Sequence, residues 1–151
     1  MKGHVAYLDS SAIIKRYIKE PGSEIIKQLY QRAYAGELKI CFSIWNIGEV
    51  LGALDRALCR GRLVGEEYAI ARRRFLLETR RLTRLNLLLV VPLRGRLLAE
   101  SWRIIEKYHI YQADALQIAT AKQMACTDFL TGDAGLHDIA LKEGLNSTYL
   151  S

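Results

Sequence analysis

Four carboxylates in this chain are placed where they could do chemistry. They are Asp9 in "YLDSSAII", Glu49 in "WNIGEVLGAL", Asp114 in "YQADALQIATA" and Asp133 in "FLTGD". Each alone has an ordinary explanation. Asp9 precedes a helical pattern and can act as its N-cap, although Ser10 or Ser11 could cap in its place. Asp114 falls in a first helical turn, where negative charge complements the helix dipole. Asp133 sits among turn residues in "TGDAG". Glu49 shares its helix face with Trp45, Gly52 and Ala53, which suits a cleft or interface better than an open solvated side. Together the four read differently. Carboxylates gathered in one pocket repel and raise one another's pKa values. A divalent cation relieves that repulsion, and magnesium suits such a site because it takes oxygen ligands and keeps several waters. His4, His109 and His137 are scattered and the cysteines have no C-x-x-C spacing, so no imidazole or thiolate cluster competes. An ion held this way acidifies bound water and acts as a Lewis acid.

Such a site needs a scaffold that brings distant residues to one edge. "VAYL" (5–8) reads as a strand that runs into a helix from Ser11 to Tyr17. Pro21-Gly22 punctuates its end, and residues 23–35 look helical. "LKICFS" (38–43) is a second strand. Ile44, Ile47, Leu51, Leu54 and Leu58 then mark a helical face over 44–61. A long helical pattern over 65–85 leads into "NLLLVVPL" (86–93), an apolar run ended by proline that suits a strand buried on both faces. Helices at 95–108 and 112–125, a short strand in 128–133, a helix at 135–143 and a strand at 147–150 complete the order. Alternating strands and helices predict an α/β fold with a mostly parallel sheet covered on both faces. Ligands bind such sheets beyond the carboxyl ends of the strands, at a topological switch point. Asp9 and Asp133 both lie just past strand ends, and hence at that edge.

Bulk properties narrow the class further. A chain of 151 residues with 50% hydrophobic and 25% charged residues suits one globular domain, taken here as 1–151. That length buries roughly two-thirds of the unfolded surface, so folding needs no disulfide or metal staple. The longest apolar run, Leu87 to Leu93, is far short of the roughly 20 residues of a membrane span. No signal peptide is visible, and three cysteines without a pairing pattern are expected as core thiols in a reducing cytoplasm. The net charge of +6 is unevenly spread: residues 56–103 carry twelve arginines and no lysine against four acids. A polyanion partner is the natural implication.

"YLDSSAIIKRY", "SIWNIGEVLGAL", "YQADALQIATA" and "FLTGD", in that order and each with an acid at the matching place, resemble the PIN-domain nucleases, and among them the VapC-type toxins of prokaryotic toxin–antitoxin pairs. The resemblance implies a three-layer α/β/α sandwich and magnesium- or manganese-dependent cleavage of RNA with one or two ions per site. It also implies a homodimer, a small antitoxin that blocks the site, and no membrane association. The family's acidic metal-binding residues carry over to Asp9, Glu49, Asp114 and Asp133. Its hydroxyl residues carry over to Ser11 and Thr131, which would hydrogen-bond ligands or phosphate rather than attack. The chain departs from the family after "TGD", where "AGLHDIA" offers only Asp138, five positions on; whether Asp138 reaches the metal stays open.

The arginine-rich stretch lies outside the family motifs. On the 65–85 helix, Arg73, Arg80 and Arg84 form a stripe with Arg74 and Arg81 beside it, a candidate RNA-holding surface. Glu78 is spaced to pair with Arg74 and Arg81, and on that reading the helix is only a solvated or dimer face. A non-catalytic module that binds nucleic acid or a partner would keep the basic patch but leave the acids unexplained. A phosphoryl-transfer or receiver-like domain would want a second aspartate at 11 or a late lysine, and the chain has Ser11 and no lysine over 123–141.

Overall fold

The computed structural model describes residues 3–151. Five strands, β1 (Val5–Leu8), β2 (Lys39–Ser43), β3 (Leu88–Val91), β4 (Asp128–Thr131) and β5 (Ser147–Tyr149), form one sheet in the order β3-β2-β1-β4-β5. Every pairing is parallel, with Tyr7 opposite Cys41 on one side and Phe129 on the other. The connecting helices are α1 (Ser10–Ile14), α2 (Ser23–Tyr34), α3 (Ile44–Cys59), α4 (Gly65–Arg84), α5 (Gly95–Tyr108), α6 (Gln112–Gln123) and α7 (Ala134–Lys142).

The pleat sends alternate side chains to opposite faces, and the sequence uses both. Ala6, Leu8, Ile40, Phe42, Leu88 and Leu130 face one side, where α1 to α4 cover them with Ile13, Tyr30, Leu54 and Phe75. Tyr7, Cys41, Val91 and Phe129 face the other, under Leu97 and Ile104 of α5, Ile118 of α6 and Leu136 of α7. This is the expected three-layer α/β/α sandwich. Among the described residues no helix is long and apolar enough to cross a membrane.

Several boundaries differ from the expected ones. The run 86–93 yields a strand of only four residues. Asn86 takes a left-handed turn at φ 59° after α4, and Pro92 has no N–H to give to a ladder. The first helix keeps α geometry only to Ile14, after which Arg16 and Tyr17 bond three residues back to Ile13 and Ile14. Gly22 opens α2 at φ +90°, and a Cβ there would lie 2.9 Å from that of Leu150. The three cysteines do not all lie in the core: Cys41 is buried, Cys126 partly so, but Cys59 is exposed at the end of α3. It falls on the outward face of a helix whose inner face is built by Val50, Leu54 and Ala57.

A buried carboxylate ties the second layer together. Glu143, just past α7, accepts from Arg103 at 2.9 Å, Lys107 at 3.1 Å and Tyr108 at 2.7 Å on α5, and from Lys122 at 3.0 Å on α6. Burial alone would raise its pKa, but these donors outweigh burial and hold it well below the usual carboxylate range.

Candidate active site

The strand order places the switch point between β1 and β4, because the chain winds from β1 to β2 and β3 and then crosses back to β4. Asp9 leaves the carboxyl end of β1 there, and its N–H bonds to Leu130 O of β4 at 3.3 Å. Its Oδ1 accepts from Ala12 N at 2.9 Å, which caps α1, and from Ser11 Oγ at 2.6 Å. Its Oδ2 accepts from Thr131 Oγ1 at 2.5 Å. Asp9 is therefore the cap of α1, and neither Ser10 nor Ser11 replaces it. Ser11 instead clasps the opposite loop, accepting from Gly132 N at 2.7 Å.

Asp133 repeats the arrangement at β4. It caps α7 through Leu136 N at 3.1 Å, and its own N–H donates to Thr131 Oγ1 at 3.0 Å. Asp114 stands third in α6, half-buried. Glu49 lies one turn into α3, held by Ser10 Oγ at 2.7 Å and more weakly by Asn46 Nδ2 at 3.4 Å.

The four acids feel one another. Burial pushes the Asp9 carboxyl up to about 6 against the hydrogen bonds from Ser11, Thr131 and Ala12, and Asp133 adds to the rise. Burial also raises Asp114, with Asp133 and Glu49 adding repulsion. Among the described residues none of the four has a lysine, arginine or histidine partner. Converging carboxylates without a counter-charge fit an oxygen-loving divalent cation. As placed, no three His, Cys, Asp or Glu side chains among the described residues already form a closed set of ligands. Asp138 is exposed on α7, and the charges that raise Asp114 are those of Asp133 and Glu49.

A buried polar network behind the acids was not anticipated from sequence. Tyr7 Oη donates to Gln117 Oε1 at 2.6 Å, Asn46 Nδ2 donates to the same oxygen at 2.9 Å and to Ser10 Oγ at 2.8 Å, and Ser10 passes on to Glu49. Asn46 Oδ1 also accepts from Ser43 N at 2.8 Å, closing the capping box of α3. β1, α3 and α6 are thus joined through atoms that end at Glu49. The signal lay in "ALQIATA", where a lone glutamine interrupts an apolar stretch that α6 buries from Ala115 to Ala121. A buried amide must find partners, and among the described residues no buried side-chain polar atom lacks one.

The arginines divide. Arg73, Arg80 and Arg84 are all exposed on α4. Arg84 ends that helix and Arg80 precedes it by a turn, next to the start of β3 at the amino edge of the sheet, opposite the acids. The expected pairing of Glu78 with Arg74 and Arg81 does not form. Glu78 instead receives Arg16 Nε at 2.9 Å, Arg16 Nη2 at 3.0 Å, Tyr17 Oη at 3.0 Å and Tyr34 Oη at 2.8 Å. It lies on the inward side of α4, where a fork-shaped guanidinium from another element outcompetes flexible neighbours on the same helix.

The PIN domain family model matches residues 6–142 of the chain. Among solved structures, it is similar to Mycobacterium tuberculosis VapC20, described as a sarcin–ricin loop cleaving toxin, at 16% identity and a TM-score of 0.64 over 93% of this chain and 95% of that one. It is also similar to FitAcB from Neisseria gonorrhoeae, at 18% identity and 0.61 over 94% and 95%. VapBC2 from Rickettsia felis, solved with a DNA fragment from its promoter, matches at 13% identity and 0.61 over 97% and 99%. No curated protein matches the chain in sequence.

Proposed function

Because this chain belongs to the PIN-domain family, a family of nucleases, we propose that it is a magnesium- or manganese-dependent endoribonuclease and the toxin of a VapBC-type pair. The supporting observation is the convergence of Asp9, Glu49, Asp114 and Asp133 on the switch point with no cationic partner among the described residues. On this reading residues 1–151 act as one cytoplasmic nuclease domain.

Asp9, Asp114 and Asp133 would hold the principal ion, and Glu49 would support it or a second ion. The bound ion supplies Lewis acidity toward the attacking water and offsets charge on the phosphoryl oxygens. The chain's own part is placement. Ser11 and Thr131 each donate to one oxygen of Asp9; with Ala12 N also on Oδ1, the unused acceptor capacity is on Oδ2. The capped starts of α1 and α7 fix the two strand-end aspartates relative to each other. The network through Ser10 and Asn46 fixes Glu49.

An RNA substrate is supported by the structural likeness to a sarcin–ricin loop cleaving toxin, and an antitoxin by the likeness to VapBC2. Exposed Trp45, Leu93, Trp102 and Tyr111 leave apolar surface for the antitoxin and for a second copy of the chain. The test is cleavage of labelled single-stranded RNA by wild type and Asp9→Asn, each with magnesium and with chelator. Cleavage that requires both the ion and Asp9 is expected; equal cleavage by both proteins would return Asp9 to helix capping alone.

A further inference from the structure

Beside the acids the charge reverses. A cavity of about 460 Å³ lies between α1, α3 and the loop after β4. Ser11 and Gly132 line it, and Ser11 bonds both Asp9 and Gly132, so the cavity lies one side chain away from Asp9 although none of the four acids lines it. Four cations line it as well, Lys15, Lys19, Arg56 and Arg62, against one acid, Glu20.

Two glycines make room for this charge. The Lys15 side chain is only 9% exposed, and its ammonium stands 3.4 Å from Glu20, long for a charge-assisted bond. A Cβ at Gly132 would stand 3.1 Å from Lys15 Cε and 3.3 Å from Ser11 Oγ. Arg56 folds back along α3, and a Cβ at Gly52 would stand 3.1 Å from its Nη1. Among the described residues Lys19, Arg56 and Arg62 form no ion pair. A sheltered ammonium and an unpaired guanidinium beside a nuclease centre match the donor set for backbone phosphate, which positions a strand without reading its bases.

We propose that this cavity holds the RNA phosphate adjacent to the one cleaved, with Lys15, Arg56 and Arg62 as its donors; the proposal rests on the ribonuclease reading. It moves the substrate path from the α4 stripe to the groove between α1 and α3.

The test measures binding of a fluorescein-labelled single-stranded RNA by anisotropy across a salt series. It uses Asp114→Asn protein with magnesium, so that turnover does not consume the probe. Each lost phosphate contact on a single strand should lower the slope of log K against log salt by about 0.7. Because the three donors share one phosphate, Arg56→Gln with Arg62→Gln should flatten the slope by at most about 0.7 and weaken binding about tenfold, and adding Lys15→Gln should complete that loss. Arg80→Gln with Arg84→Gln, at the far edge, should change neither. In an otherwise wild-type chain the Arg56 and Arg62 changes should raise KM and spare kcat. Both arginines are exposed and unpaired, so an unchanged melting curve confirms that the double variant is folded. Unchanged affinity and slope, with wild type still cleaving RNA, would overturn the proposal and leave the ribonuclease reading standing. Failure of wild type either to bind or to cleave RNA would overturn both. Loss of polyglutamate binding with RNA affinity intact would assign the cavity to an acidic polypeptide and overturn the proposal as well.

Discussion

On the proposed reading Asp9 and Asp133 each have two duties, helix capping and metal binding, and substitutions can separate them. Asparagine caps a helix about as well as aspartate, whereas alanine costs about 1 kcal/mol. Asp9→Asn is expected to keep the fold, to lose RNA cleavage by more than about a hundredfold and to lose any rise in melting temperature on adding magnesium. Asp9→Ala is expected to lose the same activity and to melt lower besides; differential scanning calorimetry with and without magnesium distinguishes the two. Asp114 has no capping duty, so Asp114→Asn tests charge alone, and near-wild-type cleavage by that variant would count against the assignment. At this scale the sequence was informative about residue type and poor about pairing. Ser11 and Thr131, carried over from the family resemblance, both donate to Asp9. The partner of Glu78 comes from Arg16, sixty-two positions away, which no local spacing encodes. Gly132 gave no sign of its use, because what it admits is a side chain from another element, whereas Gly52 marked a cleft without showing that Arg56 would fill it.

Helices and strands were legible wherever periodicity extended over several turns. α3, α4 and α5 begin at the residues that the apolar pattern marks. Ends were harder, as at β3, where Asn86 and Pro92 shorten an apolar run that looked longer. Polar residues inside apolar helices were the real gap, because burial is set by neighbours. The link from Tyr7 through Gln117 and Asn46 is the consequence that matters for function. Gln117→Leu takes from Tyr7 Oη its closest acceptor and from Asn46 Nδ2 one of its two close acceptors inside the sheet–helix contact. It is expected to cost about 1–3 kcal/mol in urea denaturation. It should also lower kcat more than it raises KM, since what loosens is the mount of Glu49 rather than a surface that grips substrate. An unchanged kcat in a destabilised protein would make the network structural only.

On the scale of the whole molecule, the parallel order of the sheet was implied by the alternation of elements, but the position of β4 beside β1 was not. It is that adjacency which turns two aspartates 124 positions apart into one site. The second layer depends on Glu143. Its carboxyl is held low in the folded chain, while an unfolded glutamate titrates near about 4.3. Between those values the unfolded chain binds more protons, so stability is full above about pH 4.3 and falls as the pH drops below it. Glu143→Gln is expected to lose about 1–2 kcal/mol at neutral pH, where Arg103, Lys107 and Lys122 would be left facing one another. The gap from wild type should shrink in acid, as urea melts at several pH values would reveal. The double duty of the strand-end aspartates also has a consequence over evolutionary time. A copy of this gene released from selection for cleavage, but still selected to fold, would keep cap-forming residues at 9 and 133. Positions 114 and 49 carry no cap and would drift first. Decay of this enzyme would therefore be read earliest in the middle of its sequence, while the two ends of the motif set still looked intact.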